Sequence, residues 1–281
     1  MLVAQITDPH IIAKGKLFHS PHRAIPADAA PDYSRIDTAA HLARAIAAVN
    51  ALAPRPDLIV LTGDLTDHGN DDEYAHVREI VAAAAMPVYA IPGNHDNREN
   101  LRAAFAGDGY LPKTGALNYT VEGHAVRIVA LDTLVTGHHH GELGPEQLGW
   151  LDRTLAARPG QPTLVLMHHP PFVTGIAHMD AHPLLDPAAL AAVIGRHPQV
   201  ERILCGHMHR TCAFRFAGTI AGCAPATAHQ LLLDLTLPGR RAHFTFEPPG
   251  YQLHLWRDGV GLVTHTAVFG DWPGPFPYGA G

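Results

Sequence analysis

Short, unbroken apolar runs punctuate the chain as far as Cys205, and each is closed by small or metal-capable polar residues. Leu2–Thr7 leads into Asp8-Pro9-His10, Leu58–Leu61 into Thr62-Gly63-Asp64, and Pro87–Ile91 into Pro92-Gly93-Asn94-His95-Asp96. Gln161–Met167 leads into His168-His169, and Arg202–Cys205 into Gly206-His207-Met208-His209. Runs this short, with no polar alternation, suit strands buried on both faces, as in a parallel sheet. Between them, Ser34–Leu52, Asp72–Ala85, Gly144–Ala157 and Asp186–Arg196 read as helices, the first ended by Pro54 and Pro56. The alternation predicts an α/β fold with helical crossovers.

Leu117–Val121 and Ala125–Leu131 read as a hairpin around Glu122-Gly123, and Ile11–Tyr33 as a long loop. From about Phe214 onward the pattern becomes all-β. Its runs are Cys212–Phe216, Thr219–Ala221, His229–Leu235, His243–Phe246, Tyr251–Trp256 and Gly261–Val268, before a Pro/Gly-rich tail.

Composition narrows the function. The 281 residues, 47% of them hydrophobic, fit one large domain with ample core. Lys plus Arg number 20 and Asp plus Glu 26, a formal charge of −6 without basic runs, which argues against a nucleic-acid partner. No apolar stretch approaches the ~18 residues of a membrane span. The N-terminus lacks the basic and apolar regions of a secretory signal, so a cytoplasmic location is expected. Cys205, Cys212 and Cys223 are odd in number and lack metal-type spacing, which excludes a disulfide framework or a zinc ribbon. The 22 histidines stand out, and their position decides their meaning.

Strand C-termini of an open α/β sheet line one crevice. Asp8, His10, Asp64, Asn94, His168, His207 and His209 therefore converge there. Such a set, without Cys, suits hard-to-borderline ions: Fe, Mn, Zn or Co. Seven donors are too many for one catalytic ion that keeps a position open. Two ions bridged by a shared carboxylate, ~3.5–4 Å apart, resolve this, and Asp64 is the natural bridge. One ion would then take Asp8, His10, Asp64 and His209, the other Asp64, Asn94, His168 and His207. Such a pair suits in-line displacement at phosphorus by a bridging hydroxide.

These five blocks resemble, in order, the motifs of calcineurin-like metallophosphoesterases. The resemblance implies a four-layer α-β-β-α sandwich over residues 1–237, with 238–281 as a β-rich cap or oligomerisation segment. It implies the same metal ligands, with Asp67 of Gly63-Asp64-Leu65-Thr66-Asp67 supporting them. Met167–Pro171, Leu131-Asp132-Thr133, Gly137–Glu142 and Gln147–Leu151 resemble bacterial class III cyclic nucleotide phosphodiesterases. Thr227-Ala228-His229-Gln230 resembles a stretch in related glycerophosphodiesterases. The implied activity is hydrolysis of a small phosphodiester, foremost a 3′,5′-cyclic nucleotide such as cyclic AMP. A glycerophosphodiester or a broad phosphodiester range is the alternative. Asp64, Asn94 and His95 are the implied catalytic residues, with His95 touching the phosphate and protonating the leaving oxygen. His139 and His229 are implied substrate contacts, and His169 a packing residue. The remaining histidines, His254 among them, are assigned no site role. Pro9, where Thr is usual, and the long 13–31 loop depart from the pattern. Edge strands in the tail, within Tyr251–Val268, point to a homo-oligomer.

Overall fold

The computed structural model describes residues 1–19, 35–236, 243–271, 273–274 and 276. The loop reading over 20–34 and much of the tail therefore lie outside the described residues.

The apolar runs form the middles of two facing sheets. The first contains β1 (Leu2–Ile6), β4 (Leu58–Thr62) and β5 (Val88–Ile91), all parallel. It is extended beyond β1 by the antiparallel hairpin β14 (Gly250–Arg257) and β15 (Gly261–Val268), in the order β15-β14-β1-β4-β5. The second sheet runs β10 (Cys212–Phe216), β11 (Thr219–Cys223), β9 (Val200–Cys205), β8 (Thr163–Leu166), β7 (Arg127–Ala130), β6 (Tyr119–Val121). Its four inner strands are parallel, while β10 and β6 pair antiparallel at the edges. Two short pairs stand apart: β2 (Phe18–His19) with β3 (Arg35–Ile36), and β12 (Gln230–Leu231) with β13 (Phe244–Thr245).

Strand periodicity assigns the layers. Leu58 and Val60 face Leu164, Leu166 and Leu204 between the sheets. Ile59 and Leu61 point the other way, onto Leu42, Ile46 and Val77 of helices α1 (Thr38–Asn50) and α2 (Asp71–Val81). Val165 and Ile203 pack on Leu151, Leu155 and Leu190 of α4 (Pro145–Ala156) and α6 (Pro187–Ile194). The result is the expected α-β-β-α sandwich. Each such buried aliphatic contributes about 1.5–3 kcal/mol relative to exposure.

Caps set the helix ends. The Asp37 carboxylate accepts from Ala40 N at 2.8 Å, and Glu73 Oε2 from Asn70 N at 3.1 Å. Helices α3 (Arg98–Ala104) and α5 (Ala177–Asp180) are additional to the sequence reading; seven and four residues give too few turns for a periodic signal.

The tail hairpin joins the first sheet. β14 pairs with β1 from Leu2↔Leu255 to Gln5↔Gln252, so the β-rich segment extends the first sheet. A buried chain of hydrogen bonds bolts it in. His254 Nε2 donates to Gln5 Oε1 (3.0 Å), and Gln5 Nε2 donates to Thr62 Oγ1 (3.0 Å) and the Cys205 carbonyl (2.9 Å). Burial, assisted by Arg202, pushes the His254 pKa down to about 3, so the ring is a neutral link. The run His229–Leu235 also differs from its reading: only Gln230–Leu231 is strand, and Leu233 and Leu235 are exposed.

Candidate metal centre

Beyond the last residues of β1 and β4 the parallel pairing continues into the turns. Asp8 N donates to the Gly63 carbonyl (3.1 Å) and His10 N to the Asp64 carbonyl (3.0 Å), setting the two ligand-bearing turns side by side. On the other sheet Gly206 N donates to the His168 carbonyl at 3.0 Å. Both sheets thus deliver their strand ends to one crevice.

The turns are strained where donors sit. Asp8, His10, Asp64, His207 and His209 have φ of +50°, +45°, +49°, +70° and +49°. Left-handed non-glycine residues cost on the order of 1–3 kcal/mol each and gather at functional sites. Glycine is required beside them. A Cβ on Gly93 would lie 2.2 Å from Asp64 Oδ1, and one on Gly206 would lie 2.2 Å from Thr7 Oγ1.

Hydrogen bonds assign the imidazole tautomers. A carbonyl or a carboxylate only accepts, so the ring nitrogen facing it carries the proton. His168 Nδ1 donates to Thr62 O (2.8 Å), His209 Nδ1 to His229 O (3.1 Å), His207 Nε2 to His182 O (3.1 Å) and His10 Nδ1 to Asp67 (3.0 Å). The other nitrogen of each ring points inward, where its lone pair can serve a metal once any proton there has left. His10 Nε2 and His209 Nε2 face each other at 3.1 Å, with Asp8 Oδ1 3.6 Å from the latter. Asp64 Oδ2 lies 3.6 Å from His10 Nε2 and 3.4 Å from His168 Nε2, between the two halves. Asn94 Oδ1 sits 3.2 Å from His168 Nε2 and 2.9 Å from His207 Nδ1.

Inward lone pairs and buried carboxylates packed this closely repel unless a cation lies among them, and the donor types suit borderline divalent ions. The ligand atoms of Asp8, His10 and His209, and those of Asp8, Asp64 and His168, each fall within 4.8 Å of one another. The two groups share Asp8, and Asp64 Oδ2 stands between His10 Nε2 and His168 Nε2. His169 lies equally close to His168 and His207, but both its nitrogens are engaged, by Thr133 Oγ1 (2.8 Å) and the His139 carbonyl (3.1 Å). It holds the His139 loop, as its packing assignment required.

The electrostatics show what a cation would replace. Burial opposes charge on His10 and His168, yet Asp67 and Asp64 for the first, and Asp64 and Asp8 for the second, raise both to about 9. Asp64 is itself held well below the usual carboxylate range: burial resists, but His168 and His95 outweigh it. In the free centre, protons on these two rings hold the place of metal charge.

Above the donors opens a cavity of about 320 Å³. His95 is on its wall, with N donating to Asp64 Oδ1 (2.9 Å) and Nδ1 to the Asp67 carbonyl (2.9 Å). His139 meets Asn94 Nδ2 through Nδ1 at 3.3 Å, and His229 stands 4.8 Å, ring to ring, from His209. All ten residues singled out from sequence thus gather here. Trp150 does not; it packs on the outer core with α4.

Two supports were not assigned roles from sequence. The buried Asp96 carboxylate accepts from Leu65 N, Thr66 N, Thr66 Oγ1, Tyr74 Oη and Gly93 N at 2.8–3.2 Å, clasping the Asp64 turn to the Asn94 turn. Asp132 pairs with Arg98 through Nε (2.5 Å) and Nη2 (3.0 Å), anchoring the start of the His139 loop to α3. Asp96 was visible as the fourth residue of Gly-Asn-His-Asp; its ring of donors was not.

Fold and site together define a dinuclear metallohydrolase acting on phosphoesters. The chain belongs to the calcineurin-like phosphoesterase family, whose pattern it matches over residues 1–211. It is 37% identical over 279 residues to the "Probable glycerophosphodiester phosphodiesterase" of Arcobacter nitrofigilis, covering 99% of this chain and 97% of that protein. It is 32% identical over 246 residues to the 3′,5′-cyclic adenosine monophosphate phosphodiesterase of Escherichia coli, covering 85% and 83%. A dimetal phosphatase structure from Danio rerio shares the fold, with a TM-score of 0.63 over 96% of this chain and 99% of that one at 15% identity.

Proposed function

We propose that this enzyme hydrolyses 3′,5′-cyclic nucleotides such as cyclic AMP. One ion would be held by Asp8, His10, Asp64 and His209, and the other by Asp64, Asn94, His168 and His207. The observation that carries the reading is the pair of buried donor sets meeting at Asp64 under a cavity sized for a small diester. When bound, the ions, drawn from Fe, Mn, Zn or Co, supply Lewis-acid charge and lower the pKa of water.

The chain's own groups do the rest. Asn94 Nδ2 and His95 Nε2 orient phosphoryl oxygens. Asp67 Oδ1 lies 3.6 Å from His95 Nδ1, and His95 Nε2 is the group that passes a proton to the leaving alkoxide. His139 reaches the phosphate from the rim. His229 is held neutral by burial and by the neighbouring His209 and His10 rings, so it offers a hydrogen bond and no charge.

A second reading, glycerophosphodiester hydrolysis, is favoured by the relative of that name, which matches this chain from end to end. A metal-reconstituted screen of cyclic AMP, 2′,3′-cyclic nucleotides, glycerophosphodiesters and monoesters separates the two. Asp64→Ala and Asn94→Ala should abolish metal-dependent turnover of bis-p-nitrophenyl phosphate with the fold intact; a well-folded, fully active Asp64→Ala protein would sink the two-ion reading. Activity on small diesters that is insensitive to salt accords with a site having no nucleic-acid partner. No helix among the described residues is long and apolar enough to cross a membrane, and we place the enzyme in the cytoplasm. We assign homo-oligomer formation to β15, the open edge of the first sheet, with Val263 and Val268 exposed.

A further inference from the structure

The catalytic cavity has two unlike sides. Asn94, His95 and His139 form the polar side described above. The other side is assembled from segments far apart in sequence: Phe18 of β2, His229 and Leu231 at β12, and Phe244 of β13. The Phe18 ring lies nearly parallel to the His229 imidazole, with centroids 5.2 Å apart at 23°. Phe244 meets the same imidazole edge-on at 5.8 Å and 77°. Leu231 pairs directly across from Phe244, so the two side chains share one face of that short ladder.

This wall is fixed relative to the ions. The His229 carbonyl accepts from the ligand ring of His209, and the Leu231 carbonyl accepts from Arg210 Nη1 at 2.5 Å. It also carries one uncommitted polar atom. His229 is 8% exposed, yet its Nδ1 is buried without a hydrogen-bond partner. A buried polar atom left unpaired is costly, and one beside a ligand cavity is satisfied when a ligand or water reaches it. Flat aromatic faces plus one ring nitrogen are the complement of a heteroaromatic base, which offers a π face and polar edge atoms. Glycerol or ethanolamine has no such face, and its polar groups would lie unpaired against Phe18, Leu231 and Phe244.

We propose that Phe18, Phe244 and His229 form a base-binding subsite that selects diesters whose alcohol bears a heteroaromatic ring. This rests on the phosphodiesterase reading and names the determinant of its substrate choice. A cyclic nucleotide is suited to such a site, because both ester oxygens belong to one ribose and only one organic group must be housed.

The test compares wild type with Phe244→Ala, Phe18→Ala and Phe244→Leu, all manganese-loaded and checked for folding by circular dichroism. The ratio of kcat/KM for cyclic AMP to that for glycerophosphoethanolamine should fall about tenfold in each alanine variant, the effect of losing one base–aromatic stack. Phe244→Leu keeps apolar volume without the π face and should show most of that fall. Equal losses on both substrates, or an unchanged ratio, overturn the subsite. Binding separates this outcome from failure of the substrate reading. By calorimetry, wild type should bind 5′-AMP about tenfold tighter than ribose 5-phosphate, and Phe244→Ala should erase that preference, whichever diester is turned over. Equal affinity of wild type for the two monoesters overturns the proposal even if cyclic AMP proves to be a substrate.

Discussion

Replacing Asp96 by alanine removes one acceptor shared by five donors, three of them backbone N–H groups, at Leu65, Thr66 and Gly93. Of the two hydroxyls, Tyr74 Oη can instead donate to the Asn97 carbonyl, while Thr66 Oγ1 keeps only the bond it accepts from Gly69 N. The N–H groups have no such substitute, and stranding each costs about 1–3 kcal/mol. Part is offset because a buried carboxylate, whose pKa burial and nearby Asp64 raise, no longer has to be desolvated. The net expectation is a loss of about 3–5 kcal/mol, a large share of the ~5–15 kcal/mol that keeps a typical domain folded. Urea unfolding of the chelated protein measures this. Because Leu65 and Gly93 adjoin Asp64 and Asn94, manganese affinity should fall at least about tenfold in the same variant. Asp96→Asn keeps the shape and one accepting oxygen, and should lose roughly half as much stability. A chelated Asp96→Ala protein within about 1 kcal/mol of wild type, with metal affinity unchanged, would refute the clasp.

Other outcomes can be checked in parallel. His10 and His168, raised to about 9, must lose their protons to bind metal, so loading near neutral pH should release about two protons and weaken as pH falls below that value. Calorimetry in buffers of differing ionisation enthalpy reads the number, and zero release would contradict the assignment. His254 titrates near 3 in the fold against 6.5 in the unfolded chain, so stability should be lost as pH falls between these values, by up to roughly 5 kcal/mol; urea midpoints for wild type that do not fall across this window would count against the neutral link. Gly206→Ala forces a Cβ within 2.6 Å of the Thr62 carbonyl, shifting the His207 turn; turnover should drop about a hundredfold, and a near-normal rate would show that the turn can yield. Val263→Lys should lower the mass seen by light scattering if β15 joins subunits, and an unchanged oligomer moves the contact elsewhere.

How much was legible follows from the physics of each part. β4 was legible because a strand covered on both faces reads as an unbroken apolar run, here Leu58–Leu61, and Leu58–Thr62 is buried at every position. The proposed ligands were legible because they sit two to four residues past such strands. Asp96 was visible as a letter but not as a clasp, since its donors come from Leu65, Thr66, Tyr74 and Gly93 only after folding. His254 looked like any histidine in a β segment; its partner Gln5 is 249 residues away. The aromatic wall was hidden for the same reason. Leu232–Leu235 misled in the other direction, because an apolar-rich run suggests a strand whether or not anything covers it.

Three of the four imidazoles proposed as ligands are aimed by main-chain carbonyls, those of Thr62, His182 and His229. A carbonyl is present whatever side chain its residue bears. His182 and His229 can therefore be exchanged over evolutionary time without turning His207 or His209, whereas His10 depends on the Asp67 side chain. The aim of these rings is inherited with the path of the backbone, and the side chains lining the rest of the cavity are left free to drift. Descendants of one ancestral chain can keep identical metal chemistry while diverging in what they cut.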